Sequence, residues 1–309
     1  MKLALVFPGQ GSQAVGMMQG FADTKVVRDT FAEASAALGQ DLWQLVAEGP
    51  EGELNATVNT QPVMLTAAYA MYRAWLAAGG PPPAIVAGHS LGEYTALVAA
   101  GVLAFGDAVP LVRFRAQAMQ EAVPVGTGAM AAILGLDDDA VRAACIEAAQ
   151  GEVVEPVNFN APSQVVIAGH KAAVERGAAA AKSRGAKRAL LLPVSAPFHS
   201  SLLKPAADRL RVRMQQIAFN RPQIAIVNNV DVAVVNDPEQ IKDALARQAC
   251  NPVRWAETVR AFSGQGVTHV VECGPGRVLA GLTRRIAADL QGFAVTDPAS
   301  LQQTLEALR

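Results

Sequence analysis

Two apolar runs, Leu3–Phe7 and Ala84–Ala87, are too short to be buried helices, and each is shut off by a turn: Pro8-Gly9 and Gly88-His89-Ser90-Leu91-Gly92. Four or five apolar residues between breakers read as a strand covered on both faces. Helical stretches lie between and after them, near Lys25–Leu38, Pro62–Ala78 and from Gly92 to about Ala100. The second is stopped by Gly79-Gly80-Pro81-Pro82-Pro83. Strands alternating with helices predict a parallel sheet with helices on both sides.

The middle of the chain changes rhythm. Ala129–Leu134, Val153–Asn158, Gln164–Gly169 and Lys187–Leu192 read as strands, with helices over Asp137–Ala149 and Lys171–Arg184. The order β-α-β-β-α-β is that of the ferredoxin-like motif. It predicts an α/β fold in which a small subdomain, residues 124–196, is inserted into a larger one made of 1–123 and 197–309. The larger pattern then resumes with a helix near Leu202–Ile217, a strand over Ile224–Asn228, a helix over Pro238–Ala249 and a strand over Thr268–Glu272 leading into Gly274-Pro275-Gly276 and a further helix.

Of the 309 residues, 51% are hydrophobic and 17% charged, which supports large cores and excludes a disordered chain. Lys plus Arg is 26 against 27 for Asp plus Glu, so the basic excess of a nucleic-acid binder is missing. The apolar stretch Met64–Leu76 is interrupted by Arg73 and ends at Gly79-Gly80, too short for a membrane span. Three widely spaced cysteines, Cys145, Cys250 and Cys273, suit reduced thiols, and with the short apolar start they predict a cytoplasmic protein.

Gly88-His89-Ser90-Leu91-Gly92 places G-x-S-x-G between a strand and a helix, the setting of a nucleophile elbow. Its glycines permit a tight turn that exposes the Ser90 hydroxyl, and the amide of Leu91 can donate to an oxyanion. The plainer alternative is a βα turn in which Ser90 only caps the helix. Of four histidines, His89 adjoins Ser90, His170 ends a strand and His269 begins one. His199, in the Pro-stiffened loop Ser195-Ala196-Pro197-Phe198-His199-Ser200-Ser201, is the candidate base by elimination. No acid stands in a motif that would orient it, and a main-chain carbonyl can serve instead.

On the helix after Gly106-Asp107, Leu111, Val112, Arg115, Ala118, Met119 and Ala122 share one face, while Arg113 falls on the other. A guanidinium in an apolar stripe needs an anionic partner. Either an internal Asp or Glu supplies it, or Arg115 waits for a substrate carboxylate that its fork can grip. Gly9-Gln10-Gly11-Ser12-Gln13 and Gly274-Pro275-Gly276-Arg277 lack the spacing of phosphate loops, and no C-x-x-C or H-x-x-x-H pair indicates a metal site.

These motifs, with Pro156-Val157-Asn158-Phe159-Asn160, Val227-Asn228-Asn229-Val230, Asn251-Pro252-Val253-Arg254-Trp255 and Cys273-Gly274-Pro275-Gly276, run the length of the chain. Together they resemble the malonyl-CoA:acyl carrier protein transacylases of dissociated (type II) bacterial fatty acid synthesis. The resemblance implies an α/β-hydrolase-like core with a ferredoxin-like insert, no cofactor, and malonyl-CoA and acyl carrier protein as substrate and partner; a single site between the domains fits a monomer. It implies Ser90 as nucleophile, His199 as base, and the Gln248 carbonyl as its acceptor. Gln10 and Leu91 would supply oxyanion amides and Arg115 the carboxylate site. Met119 and Phe198 would shape the pocket, the latter favouring malonyl over methylmalonyl, with Asn160 and Gln61 nearby. For an acidic carrier, Lys182, Arg184, Lys187 and Arg188, or Arg284 and Arg285, are candidate docking charges. An esterase on the same core, a polyketide acyltransferase and a silent carrier-binding scaffold are the competing readings.

Overall fold

The first apolar run becomes strand β1 (Leu3–Phe7), with all five residues buried. The structure, a computed structural model, describes residues 1–194 and 196–309; Ser195, which opens the loop before His199, lies outside them. Helices α1 (Lys25–Leu38), α2 (Leu42–Glu48), α3 (Glu51–Asn55) and α4 (Thr57–Ala77) follow. α4 starts before Pro62, which the sequence reading takes as its first residue. Asn59 Nδ2 donates to the Glu53 carbonyl at 2.9 Å and Thr60 Oγ1 to that of Leu54 at 2.6 Å, and these bonds tie the extra turn to α3. Strand β2 (Ile85–Gly88) then leads into α5 (Gly92–Ala99) and α6 (Phe105–Glu121).

The middle segment forms β3 (Gly128–Leu134), α7 (Asp138–Ala149), β4 (Val154–Ala161), β5 (Gln164–His170), α8 (Lys171–Ser183) and β6 (Arg188–Leu191). Asp137 caps α7 by accepting from the Ala140 amide at 2.8 Å. The chain closes with α9 (Lys204–Met214), β7 (Ala225–Ile226), α10 (Pro238–Gln248), α11 (Trp255–Gly264), β8 (His269–Cys273), α12 (Val278–Ile286), β9 (Gln291–Val295) and α13 (Pro298–Ala307).

One sheet is parallel throughout, in the order β7-β2-β1-β8-β9. The other is antiparallel, β4-β5-β3-β6, which is the strand order of the ferredoxin-like motif. The α/β architecture with a separate inserted sheet is therefore as the sequence predicts. Five elements escape that reading: α2, α3, α11, β9 and α13. Two are helices of seven and five residues, too short to show a period. β9 is a partly exposed edge strand holding Gly292.

The loop after α10 ties the large layer to the edge of the small sheet. The Phe159 amide donates to the Val253 carbonyl and the Val253 amide to that of Val157, both at 2.9 Å. The segment leaving α10 thus lies along the edge of the small sheet, and a cleft opens between the two layers.

Candidate active site

Strand β2 delivers its last residue, Gly88, into a turn so tight that only glycine fits at either end. A Cβ on Gly88 would sit 1.8 Å from the Gly92 carbonyl carbon, and one on Gly92 would sit 2.0 Å from the Phe7 oxygen. Between them Ser90 takes a left-handed conformation, φ 51°, uncommon for a residue with a side chain. Its main chain is held by side chains from distant segments. Asn229 Oδ1 accepts from the Ser90 amide at 2.8 Å, and Gln248 Nε2 donates to its carbonyl at 2.9 Å. A second left-handed residue, His199 at φ 67°, faces it across the cleft.

Ser90 Oγ lies 2.7 Å from His199 Nε2, and His199 Nδ1 donates to the Gln248 main-chain carbonyl at 2.8 Å. A carbonyl acceptor fixes the proton on Nδ1, leaving Nε2 free to take one from the hydroxyl. Burial, reinforced by the nearby Arg115 charge, pushes the imidazole down to about 3, so it is neutral and receptive.

Arg115 is 2% exposed, and its fork touches only neutral acceptors. Nη1 donates to Gln61 Oε1 at 2.8 Å; Nη2 donates to Gln248 Oε1 at 3.0 Å and to Ser90 Oγ at 3.1 Å. Its Nε has no partner, and the Tyr94 ring lies 5.4 Å away. Of the two partners the sequence left open, an internal ion pair with Asp or Glu is not formed among the described residues. Arg113, expected as a solvated surface charge, is instead half-buried: Nη2 donates to Gln40 and Nε is buried without a partner.

The cleft encloses about 200 Å³. The large layer lines it with Gln10, His89, Ser90, Arg115, Phe198 and His199. The small layer lines it with Met130, Asn158, Asn160 and Val166. Among the described residues, neither the Gln10 nor the Leu91 amide donates to another group of the chain. No cluster of His, Cys, Asp or Glu among them is placed to hold a metal ion, and no helix is long and apolar enough to cross a membrane.

The family profile described as the acyl transferase domain matches residues 4–295. The chain belongs to the acyl transferase family. It is similar to the malonyl CoA-acyl carrier protein transacylase of Escherichia coli strain K12, 58% identical over 306 residues and covering 99% of each chain. Its similarity to the enzyme of that name from Bacillus subtilis is 41% over 310 residues, covering 100% of this chain and 98% of the other. Among solved structures it superposes with a TM-score of 0.98 on an acyl-carrier-protein S-malonyltransferase from Burkholderia pseudomallei 1710b, at 68% identity over 99% of this chain and 100% of that one. A malonyl-transacylase in complex with a type II PKS acyl-carrier protein gives the same score at 56% identity, with the same coverage.

In this acyl transferase the residues expected from the sequence fall in three groups. Ser90, His199, Arg115, Gln248 and Gln61 form one hydrogen-bonded array. Gln10, Phe198 and Asn160 stand on the cleft wall, Asn160 Oδ1 accepting from His89 Nε2 at 2.8 Å. Met119 and Leu91 are buried and stand outside the lining. The other histidines make local contacts: His170 Nδ1 accepts from the Val153 amide, and His269 stacks on Phe293.

Two polar residues of the array have no role in the sequence reading: Asn229, described above, and Glu93. Glu93 is 3% exposed, and burial raises its carboxyl to about 7. Its one visible signal is its place in the first turn of α5, three residues after Ser90.

Proposed function

We propose that this acyl transferase moves a malonyl group from malonyl-CoA to the phosphopantetheine thiol of acyl carrier protein, through an ester on Ser90, supplying units for fatty acid elongation. The observation that carries this reading is the buried Arg115 fork, bonded to neutral groups alone and 3.1 Å from Ser90 Oγ. A substrate with a terminal carboxylate supplies the missing anion beside the nucleophile. Acetyl-CoA leaves the cation unpaired, which is the kind of mismatch that discriminates strongly.

Ser90 Oγ attacks the thioester carbonyl and passes its proton to His199 Nε2. The amides of Gln10 and Leu91 receive the oxyanion. The C–S bond then breaks, and CoA leaves with the proton from the imidazolium. In the second half the carrier thiol gives its proton to His199 and attacks the ester, and Ser90 recovers the proton as it leaves. A carboxylate on Arg115 also cancels the charge that depresses His199, so the base strengthens when the right substrate is bound. Every step uses side chains, main-chain amides and the two thiols, and needs no cofactor.

The inserted part, 124–196, forms the roof of the cleft over the core of 1–123 and 197–309. Phe198 beside the base keeps the site small, favouring malonyl over methylmalonyl. One complete site per chain suits a monomer, and the free thiols Cys145, Cys250 and Cys273 suit the cytoplasm. For the carrier, Lys187 and Arg188 with Lys182 lie on one flank of the insert, where Arg184 already pairs with Glu147 at 2.6 Å. Arg284 and Arg285 are the alternative surface, with Arg285 bonded to Gln164.

Intact-mass spectrometry after brief mixing with malonyl-CoA, followed by reduced carrier protein, tests the reading. The expected result is a malonyl adduct on Ser90 that moves to the carrier. An adduct that decays equally fast without carrier makes the protein a hydrolase, and no adduct makes it a scaffold.

A further inference from the structure

A left-handed serine needs more than two glycines to hold it: its amide has no main-chain acceptor, and its carbonyl takes only the Glu93 amide, at 3.1 Å, from the start of α5. Here Asn229 Oδ1 takes the amide and Gln248 Nε2 is given to the carbonyl. Both clamps converge on one atom. Glu93 Oε2 accepts from the Asn229 main-chain amide at 3.0 Å and from Gln248 Nε2 at 3.0 Å. Gln248 is also the residue whose Oε1 receives Arg115 and whose carbonyl receives His199.

We propose that Glu93 is a positioning residue for the acyl transfer: its carboxyl oxygen fixes the two clamps of the Ser90 turn and, through Gln248, the orientation of Arg115 and His199. The proposal rests on Ser90 being the acylated nucleophile.

The polarity of the Gln248 amide shows why an acceptor belongs at this place. With its NH2 facing Glu93 and Ser90 O, its oxygen faces the guanidinium. Turned over, it would set oxygen against two oxygens and NH2 against a cation. An apolar side chain at position 93 removes one of the two acceptors that forbid this flip and strands the buried Asn229 amide. A carboxyl in the first turn of a helix can also be explained by that helix's own dipole. The partners argue otherwise: they lie 136 and 155 residues away in sequence, on other segments. The charged or titratable groups facing Glu93 are Arg115 on α6, Tyr94 on its own helix and Asp231 after β7.

Three variants of the full chain separate position from charge and from folding. Glu93→Gln keeps an acceptor in place without the charge; Glu93→Asp keeps the charge but, one methylene shorter, withdraws it; Glu93→Leu removes both. Each is scored by thermal melt, by the fraction of protein that takes one malonyl group, and by kcat and KM per active molecule with malonyl-CoA and acetyl-CoA. A positioning role predicts that Glu93→Gln loses no more than about threefold in kcat. Glu93→Asp then loses at least tenfold and Glu93→Leu about a hundredfold, as expected for a misplaced reacting group. The malonyl-to-acetyl preference narrows in the same order. A merely structural role lowers the active fraction and leaves kcat and preference per active molecule as in wild type, which overturns the proposal. If Glu93→Leu does not fold, the other two decide: Asp performing as well as or better than Gln overturns it. Absence of an adduct in the wild-type control overturns the Ser90 reading instead, and so distinguishes the two failures.

Discussion

Both sheets bury apolar cores, but the parallel layer adds a cluster of buried polar side chains that the small one lacks. Between β3 and β6 the core is aliphatic apart from Cys145 and Phe159, and the one buried polar side chain among its described residues is Asn158, which faces the cleft. Around the ends of β1, β2 and β8 the parallel layer buries Glu93, Arg115, Asn229, His199, Gln248 and Glu272. The difference reflects what each layer does. Acyl transfer needs dipoles fixed before the charge develops, and that requires polar groups out of water and tied to one another. In the proposed function the small layer has only to exclude water and shape the acyl end, which a dry core does well.

The largest effect is expected at the nucleophile. Ser90→Ala abolishes the malonyl adduct altogether, read by intact mass; an adduct elsewhere in the chain would move the chemistry out of the parallel layer. His199→Ala leaves Ser90 in its turn but removes the proton acceptor, and single-turnover malonylation slows by about 10²–10⁴-fold. Ile133→Ala, deep in the small core and fully buried, has the reverse signature. It lowers unfolding free energy by about 2–5 kcal/mol in denaturant titration, while kcat per folded molecule stays within a factor of a few.

Glu272 sharpens the picture on the other side. Like Glu93 it is buried with its carboxyl raised to about 7, but Oε2 caps α12 through the Ala280 amide at 2.8 Å and Oε1 has no partner. A raised carboxyl is protonated in the native state at pH values where the unfolded chain has already ionised. Stability from this group therefore falls as pH rises from about 4.5 to about 7, and is flat above. In Glu272→Gln that loss, on the order of 3 kcal/mol, disappears. Melting wild type and variant at pH 5 and pH 8 reads it as a pH dependence present in one and reduced in the other, with kcat unchanged.

Much of this was legible from residues alone, for physical reasons. Gly88 and Gly92 announce the elbow because no other residue fits, and helical periodicity puts Arg115 on the apolar face. The β-α-β-β-α-β rhythm delimits the insert because a small antiparallel sheet needs short strands and two helices of fixed spacing. What remained hidden depends on side chains that meet across long separations. Nothing local marks Gln248 as the hub, since its carbonyl, amide oxygen and amide nitrogen serve three different segments. Glu93 looks like an ordinary first-turn acid, and Asn229 like a turn residue. β9 stays hidden because an edge strand with an internal glycine shows no clear alternation.

If the unpaired buried Arg115 guanidinium selects the substrate, competition between malonyl-CoA and acetyl-CoA for Ser90 reads that selection. With both thioesters present at equal concentration, the adduct masses give the preference in wild type and in Arg115→Ala. The account predicts that wild type carries malonyl almost exclusively, and that Arg115→Ala still acylates Ser90 but shifts by a factor of ten or more toward acetyl. An unchanged malonyl preference in Arg115→Ala would contradict it.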